Sequence, residues 1–281
     1  MAADFLAVGH VVKDVTPTGG WRLGGSVAYA SLQAQRLGLQ TVAVTACSPD
    51  VSPAELLPHT QWHVLPDEQT TTFHNTYRDG VRTQVVIERA RTIGAAQIPE
   101  RWRSTPIVLF APVFGDVDAK AASVVPAECL VGLSCQGWLR EMRDGRVQPR
   151  RFEADAPWLI GDIVFVSDED LHEPQRGAEW LKYVPMVVLT HGPGGATIFD
   201  DDGRHDYEAF RSLEIDPTGA GDVFATAFLV RWKETSDREE AARFAAAAAS
   251  LAVQGVGLEA VPTRAQIVSV LAANAAEGQR R

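Results

Sequence analysis

The sequence contains few cysteines and no long apolar run, and both shortages exclude classes of protein. Cys47, Cys129 and Cys135 are the only cysteines among 281 residues, and their spacing matches no metal site. So sparse a set predicts reduced thiols and a cytoplasmic protein rather than a disulfide framework. No window of about 18 uncharged apolar residues occurs, so we expect no membrane span. The first residues carry no basic or apolar leader pattern, so we expect no secretion signal.

Positive charge is also scarce. Lysine and arginine number 26 against 36 acidic residues, which gives a net charge of −10. This deficit argues against nucleic acid or an anionic membrane as the main partner. The Walker A motif is absent, and Gly9 after the first apolar run is not part of a G-x-G-x-x-G sequence. That second absence argues against an NAD-dependent oxidoreductase, just as the absence of a G-x-S-x-G elbow argues against a hydrolase.

Short apolar runs alternate with helical segments along the chain. The runs are apolar throughout rather than alternating, which is typical of parallel strands covered on both faces. The predicted strands cover residues 5–9, 41–45, 107–111, 129–133, 163–166 and 186–190. We therefore predict an α/β fold, a doubly wound and mostly parallel sheet flanked by helices, formed as one domain by residues 1–281. Ligands should bind at the carboxyl ends of the strands.

Residues 61–90 depart from this pattern. The segments 70–77 and 82–87 are rich in β-formers, and Arg78-Asp79-Gly80 between them predicts a hairpin turn. We predict a small additional β-sheet with strands from about residues 11–23 and 61–90. An edge hairpin of the main sheet is the alternative interpretation.

The most informative stretch is D-P-T-G-A-G-D, which runs from Asp216 to Asp222 before an apolar helix. Gly219 and Gly221 leave the backbone amides of this turn, including that of Ala220, free to surround a small anion. Asp222 falls in the first turn of the helix, where the dipole favours negative charge. A carboxylate beside such amides can take a hydroxyl proton while the amides stabilise phosphate. The stretch predicts phosphoryl transfer, with an ordinary acidic helix start as the alternative.

This run resembles the C-terminal signature of the PfkB, or ribokinase-like, sugar kinase family, whose core reads D-T/P-x-G-A-G-D. Residues 24–30, G-G-S-V-A-Y-A, resemble the N-terminal glycine signature of the same family. The resemblance extends over nearly the whole chain. It implies ATP-dependent transfer of the γ-phosphate to a hydroxyl of a small sugar or polyol, with Mg²⁺ and with Asp222 as base. Thr226 stands where the family usually has Gly or Ala, and we expect it to loosen one helix contact.

The resemblance also implies roles for residues outside the two signatures. The acceptor-binding candidates are Asp14, Gly24, Gly25, Ser26, Gln136 and Arg140. The nucleotide-binding candidates are Thr190, Gly192, Gly195 and Ser167. Asp170, with Glu169 as a substitute, is the candidate for holding Mg²⁺ through water, and Asp216 and Thr218 match positions near a monovalent cation such as K⁺. The small sheet would cover the sugar site as a lid, in a monomer or in a homodimer formed through the lid.

The choice of acceptor rests on fewer residues. Residues 23–29, 70–73 and 136–140 look like those of inositol-type members, whereas Ser26, Cys135, Ser167 and Asp170 replace residues that are common in the family. Ribose, fructose-type sugars and nucleosides stay as alternatives. A rival from another class is a non-catalytic sugar- or nucleotide-binding protein that kept the fold, but an intact Asp222 argues against it. His74 and His191 are interpreted as having no acid–base role.

Overall fold

A computed structural model describes residues 2–16, 19–78, 81–171 and 173–278. The predicted turn residues Asp79 and Gly80 lie outside these ranges. The strands are β1 (Phe5–Val8), β2 (Val12–Val15), β3 (Trp21–Gly24), β4 (Thr41–Cys47), β5 (Thr60–Pro66), β6 (Thr72–Arg78), β7 (Val81–Glu88), β8 (Ile107–Phe110), β9 (Leu130–Ser134), β10 (Arg140–Arg143), β11 (Arg146–Pro149), β12 (Ile163–Ser167), β13 (Met186–Thr190), β14 (Ala196–Asp200) and β15 (Gly203–Tyr207). The α-helices are α1 (Ser26–Arg36), α2 (Pro53–Leu56), α3 (Glu100–Arg103), α4 (Ala220–Thr235), α5 (Arg238–Ala252) and α6 (Arg264–Gly278).

The large sheet has the strand order β15-β14-β13-β12-β9-β8-β1-β4-β5. Neighbours from β13 to β5 are parallel, while β14 and β15 run antiparallel at one edge. The predicted α/β class with a mostly parallel sheet is confirmed. It could be predicted because the central strands are buried on both faces and therefore carry unbroken apolar runs.

Alternate residues of each central strand enter two separate cores. Phe5 and Ala7 pack with apolar residues of α1, α4 and α5 on one face. Leu6 and Val8 belong to the core of the other face. Helix α4 is buried continuously over residues 223–230, so its first turn is held rigidly against the sheet. No helix in the described ranges is both long and apolar enough to cross a membrane.

The second face is covered less by long helices than the sequence led us to expect. Short 3-10 turns and a cluster of aromatic rings fill it instead. Trp138 stacks on Trp158 with ring centres 5.5 Å apart, and Trp158 meets Trp180 edge-on at 5.1 Å. The Trp138 indole also donates a hydrogen bond of 2.7 Å to the Val117 carbonyl. These contacts fix the segment that follows β9 and carries Gln136 and Arg140.

A small sheet, in the order β3-β2-β6-β7, stands apart from the large one. Strand β2 is antiparallel to β3 and parallel to β6, and β6 is antiparallel to β7. Residues 61–66, which the sequence prediction included here, belong instead to β5 at the edge of the large sheet. An edge strand is partly exposed, so β5 carries the mixed polarity that also marks strands of a small sheet.

His10 attaches the small sheet to the large one. This fully buried side chain follows β1, and its Nε2 lies 2.9 Å from the Arg91 carbonyl, to which it donates. Its Nδ1 lies 2.7 Å from the Thr71 hydroxyl, and the Ala90 amide donates to the same hydroxyl oxygen at 3.1 Å. Thr71 precedes β6 and Arg91 follows β7, so the His10 side chain holds both strands at the open end of this antiparallel pair.

Candidate active site

The carboxyl ends of the parallel strands bring the candidate residues to one edge of the large sheet. Ser167 at the end of β12 lies opposite Thr190 at the end of β13, and β9 ends beside β12. The segments after these three strands carry the other candidates: Gln136 and Arg140 follow β9, Asp170 follows β12, and the glycine turn follows β13. In a parallel sheet this edge is where ligands bind.

Gly219 closes the turn that precedes α4. Its φ of +80° is left-handed, a conformation that other residues adopt only with strain. A Cβ at this position would also lie 2.3 Å from the Tyr29 ring of α1. The turn therefore needs glycine for two separate reasons, and Tyr29 forms its wall.

The amides of this turn differ in availability. Ala220 donates to the Pro217 carbonyl at 3.2 Å, which corrects its predicted role as a free donor. Among the described residues, no backbone hydrogen bond engages the amides of Gly219, Gly221 and Asp222. Gly221 is exposed, and a Cβ added to it would meet no atom within 4 Å. The helix start therefore presents open donors to a solvent-accessible space, as anion sites do.

Asp222 lies one residue beyond Gly221 in the first turn of α4. The Ser26 hydroxyl, at the start of α1, donates a hydrogen bond to its carboxylate. Burial raises the pKa of Asp222 to about 7, with a smaller contribution from the nearby charge of Asp170, while Ser26 and Arg140 oppose the rise. Near neutral pH this carboxyl group can therefore both accept and release a proton.

Arg140 and Asp170 form a buried ion pair beside Asp222. Arg140 Nη2 lies 3.3 Å from Asp170 Oδ1, and the two side chains are 16% and 8% exposed. Burial raises the pKa of Asp170, although Arg140 and a hydrogen bond from Gln136 counteract part of the rise. The predicted candidates Asp222, Ser26, Gln136, Arg140 and Asp170 thus come together in one cluster of opposite charges.

The predicted magnesium ligands do not form a metal site of their own. Asp170 is already paired with Arg140, and Glu169 is exposed, with its amide 3.2 Å from Ser167 Oγ. Within the ranges that the structure covers, the one group of three potential ligands close enough for an ion is residues 200–202, at the β14–β15 turn. That turn lies at the amino-terminal end of the parallel strands, away from the candidate residues, because β14 is antiparallel to β13. The predicted role of Asp170 and Glu169, which is to hold Mg²⁺ through water, stays a prediction.

Asp14 lies on β2 of the small sheet, next to the glycine pair that precedes α1. A Cβ on Gly24 would lie 2.1 Å from Asp14 Oδ2, so glycine is required for this close approach. Asp14 Oδ1 accepts a hydrogen bond from Asn75 Nδ2 at 3.3 Å, and Gln84 Nε2 donates to Asn75 Oδ1 at 3.0 Å. The sequence prediction missed Asn75 and Gln84. Strand alternation could have indicated Asn75, because it shares a face with the buried Phe73.

The glycine turn after β13 is anchored by its neighbours. Thr190 Oγ1 donates to the Val166 carbonyl at 3.3 Å. His191 lies between two partners, with Nδ1 3.2 Å from Asp168 Oδ2 and Nε2 3.0 Å from Thr197 Oγ1. These contacts hold the 3-10 turn Gly192–Gly194 and the following Gly195 at the carboxyl edge. The contacts of His191 agree with a structural rather than an acid–base role.

Asp216 organises the loop on the other side of the α4 turn. Its Oδ1 accepts from the Thr218 amide at 3.0 Å, and its Oδ2 lies 3.4 Å from the Gly257 amide. The carboxylate thus joins the segment before α4 to the one after α5. Whether Asp216 and Thr218 also hold a monovalent cation stays a prediction.

Comparison with known proteins agrees with this geometry. Residues 162–264 match the model of the pfkB family carbohydrate kinases. The inositol 3-kinase of Zea mays is 25% identical over 247 residues, 79% of this chain and 65% of that protein. The ribokinase of Arabidopsis thaliana is 48% identical over 91 residues, 31% of this chain and 24% of the ribokinase. The chain thus spans less than two thirds of the length of these relatives.

Solved structures share the fold over most of the chain. A pyrophosphate-dependent kinase of the ribokinase family superposes with a TM-score of 0.80 at 22% identity, covering 95% of this chain and 99% of its own. The ribokinase of Arabidopsis thaliana complexed with ribose and ATP gives 0.75 at 22% identity, covering 96% and 99%. The fold and the site define a ribokinase-like α/β protein. In sequence the chain is similar to the pfkB family carbohydrate kinases over residues 162–264, and in fold it is similar to kinases of the ribokinase family.

Proposed function

We propose that this protein is an ATP-dependent kinase that transfers the γ-phosphate to a hydroxyl of a small sugar or polyol. One observation carries the proposal: the Asp222 carboxyl, whose pKa is raised to about 7, lies next to open backbone amides at the start of α4. A binding protein would gain nothing from a desolvated carboxylate beside a phosphate site. A kinase needs both groups together.

The transfer proceeds by one exchange of bonds. The acceptor oxygen forms a bond to the γ-phosphorus while its proton moves to Asp222. The bond from this phosphorus to the bridging oxygen breaks, and its electron pair leaves with ADP. Amides of Gly219, Gly221 and Asp222 stabilise the charge on the transferred oxygens, and Mg²⁺ bound with the nucleotide would neutralise part of the phosphate charge. Closure of the small sheet as a lid would exclude water, which otherwise competes as acceptor.

The acceptor site lies between Asp14 and Asp222. Asp14 can accept hydrogen bonds from vicinal hydroxyls, and the nearby Gly24 lets a polyol approach the backbone. We propose myo-inositol as the first acceptor to test, because the maize relative that covers most of this chain is an inositol 3-kinase. Nucleosides are the alternative within the family, since shorter matches include an archaeal nucleoside kinase.

The donor is proposed to be ATP, with pyrophosphate as a second candidate. Leu213, Ile215 and Val256 are exposed aliphatic residues in the segments before α4 and after α5, and the Ile215 amide donates to the Val253 carbonyl, three residues before Val256. An exposed apolar surface of this kind can shelter a nucleobase. Pyrophosphate is kept because a neighbour with the same fold depends on it. The buried cysteines, none of them in a disulfide, agree with the proposed cytoplasmic location.

The test combines a substrate panel with Gly221→Ala. The wild-type protein is assayed with ATP and with pyrophosphate against myo-inositol, ribose, fructose and a nucleoside, with and without K⁺. Gly221→Ala adds a methyl group that meets no protein atom but occupies the space proposed for phosphate. We expect kcat/KM to fall about a hundredfold, while the free energy of unfolding rises by roughly 0.5–1 kcal/mol, since alanine favours the helix.

The outcomes are distinct. Loss of turnover in a variant as stable as the wild type supports the phosphate site at the start of α4. Full activity of Gly221→Ala would refute the proposed phosphate site at the start of α4. Binding of ligands without turnover of any acceptor, with either donor, would leave the non-catalytic binding protein as the better description.

A further inference from the structure

Two carboxamide side chains of the small sheet connect the acceptor side of the site to its phosphate side. Arg140 Nη1 donates to Gln84 Oε1 at 3.3 Å, Gln84 Nε2 to Asn75 Oδ1 at 3.0 Å, and Asn75 Nδ2 to Asp14 Oδ1 at 3.3 Å. The other arm of Arg140 reaches Asp170. A continuous series of hydrogen bonds thus runs from Arg140, which influences Asp222, to Asp14.

The direction of donation in this series is fixed by its two ends. A guanidinium can only donate, so Gln84 must present its oxygen to Arg140 and its NH₂ to Asn75. A carboxylate can only accept, so Asn75 must present its NH₂ to Asp14. Both amide orientations agree with these requirements, and the dipoles align from the positive to the negative end. Such series are stronger than isolated hydrogen bonds.

The backbone makes the arrangement rigid. Asn75 on β6 and Gln84 on β7 are directly opposite each other in the antiparallel register, and β6 also pairs with β2, which carries Asp14. Phe73, two residues before Asn75 and on the same face, is buried with Val12 and Val113. His74 points to the other face and is exposed. The two carboxamides are therefore held toward the cluster of Arg140, Asp170 and Asp222.

We propose that Asn75 and Gln84 are positioning residues that determine which acceptor hydroxyl faces Asp222. By fixing the Asp14 carboxylate relative to Arg140, they set the distance and angle between the point that grips the polyol and the point where phosphate arrives. A ring that binds to Asp14 can then present one hydroxyl to Asp222. This inference rests on the proposed kinase function and extends it to the choice of product isomer.

The test measures acceptor KM, donor KM and the position of the phosphate in the product by ³¹P–¹H NMR. In Asn75→Ala and Gln84→Ala we expect acceptor KM to rise about tenfold, donor KM to stay unchanged, and a mixture of positional isomers to replace a single product. In the double variant, acceptor KM should rise by less than the product of the two single increases, because the two substitutions interrupt the same series of hydrogen bonds. His74→Ala, on the same strand but the opposite face, is the matched control and should behave as the wild type.

Gln84→Glu tests the direction of donation. A glutamate keeps an acceptor for Arg140 but cannot donate to Asn75, so acceptor KM should rise as in Gln84→Ala. Wild-type acceptor KM and a single isomer in Gln84→Glu would overturn the inference, and so would an unchanged product in Asn75→Ala.

Failure of the proposed function looks different from failure of this inference. If the wild type phosphorylates no acceptor, the kinase proposal falls. The series is then tested by isothermal titration of myo-inositol and ribose. Weaker binding in Asn75→Ala and Gln84→Ala, but not in His74→Ala, supports it. Equal binding in all variants, or no binding to the wild type, overturns it.

Discussion

Asp222→Asn should make the protein inactive and, at alkaline pH, more stable. Burial raises the pKa of Asp222 from 3.8 to about 7, so the folded state keeps a proton that the unfolded chain releases in this window. Stability is therefore lost as pH rises from about 4 to 7. Three pH units correspond to at most about 4 kcal/mol. Because the side chain is partly exposed, we expect about half of that, roughly 2 kcal/mol.

An asparagine has the same shape, still accepts from Ser26 and carries no charge to desolvate. At about pH 8.5 the variant should melt roughly 4–8 °C above the wild type, whereas below about pH 4 the two melting temperatures should converge, because the carboxyl then keeps its proton in the folded and in the unfolded state. Scanning calorimetry at both pH values measures this. Turnover should fall by orders of magnitude with donor binding retained.

Asp201→Asn, the same chemical change at the exposed β14–β15 turn, is the control and should show no gain that depends on pH in this way. An Asp222→Asn protein that is no more stable than the wild type at pH 8.5 would refute the desolvated carboxylate. Near-normal turnover would refute its role as base.

Two further predictions concern the packing that supports the turn. Gly219→Ala combines a left-handed φ with a clash against Tyr29. We therefore expect the free energy of unfolding, measured in urea, to fall by about 3 kcal/mol or more. A variant as stable as the wild type would contradict the role of the Tyr29 ring as a wall of the turn. Thr226 is fully buried in α4, and its hydroxyl has no hydrogen-bond partner among the described residues. Thr226→Val should therefore raise the free energy of unfolding by about 1–2 kcal/mol, and an unchanged value would show that the hydroxyl is satisfied in solution.

The large sheet was predictable because burial on both faces leaves a direct mark in the sequence. Strands such as 107–110 and 163–167 are short and apolar, so their existence could be predicted from the sequence, whereas their order in the sheet could not. The start of α4 was predictable for a related reason, since Gly219 satisfies a local backbone requirement. Such features depend on residues that are adjacent in the sequence, so a short stretch of sequence is enough to predict them.

Contacts between distant segments could not be predicted in the same way. Arg140 and Asp170 are separated by 30 residues and Arg140 and Gln84 by 56, so nothing local pairs them. The sequence suggested a metal role for Asp170 and gave no sign that Arg140 would lie beside it. Likewise, the aromatic cluster around Trp158 replaces helices on the second face, because scattered tryptophans have no periodicity to reveal their packing.

The charge balance of the site explains how an acidic protein can handle a polyanionic donor. The net charge of −10 opposes phosphate at long range, so attraction must come from nearby groups. The amides at the start of α4 and the Arg140 guanidinium supply this attraction, and the raised pKa of Asp222 reduces the negative charge of the site near neutral pH. Arrival of phosphate raises the pKa of Asp222 further, which strengthens it as a base. The positive charge of Arg140 opposes this rise.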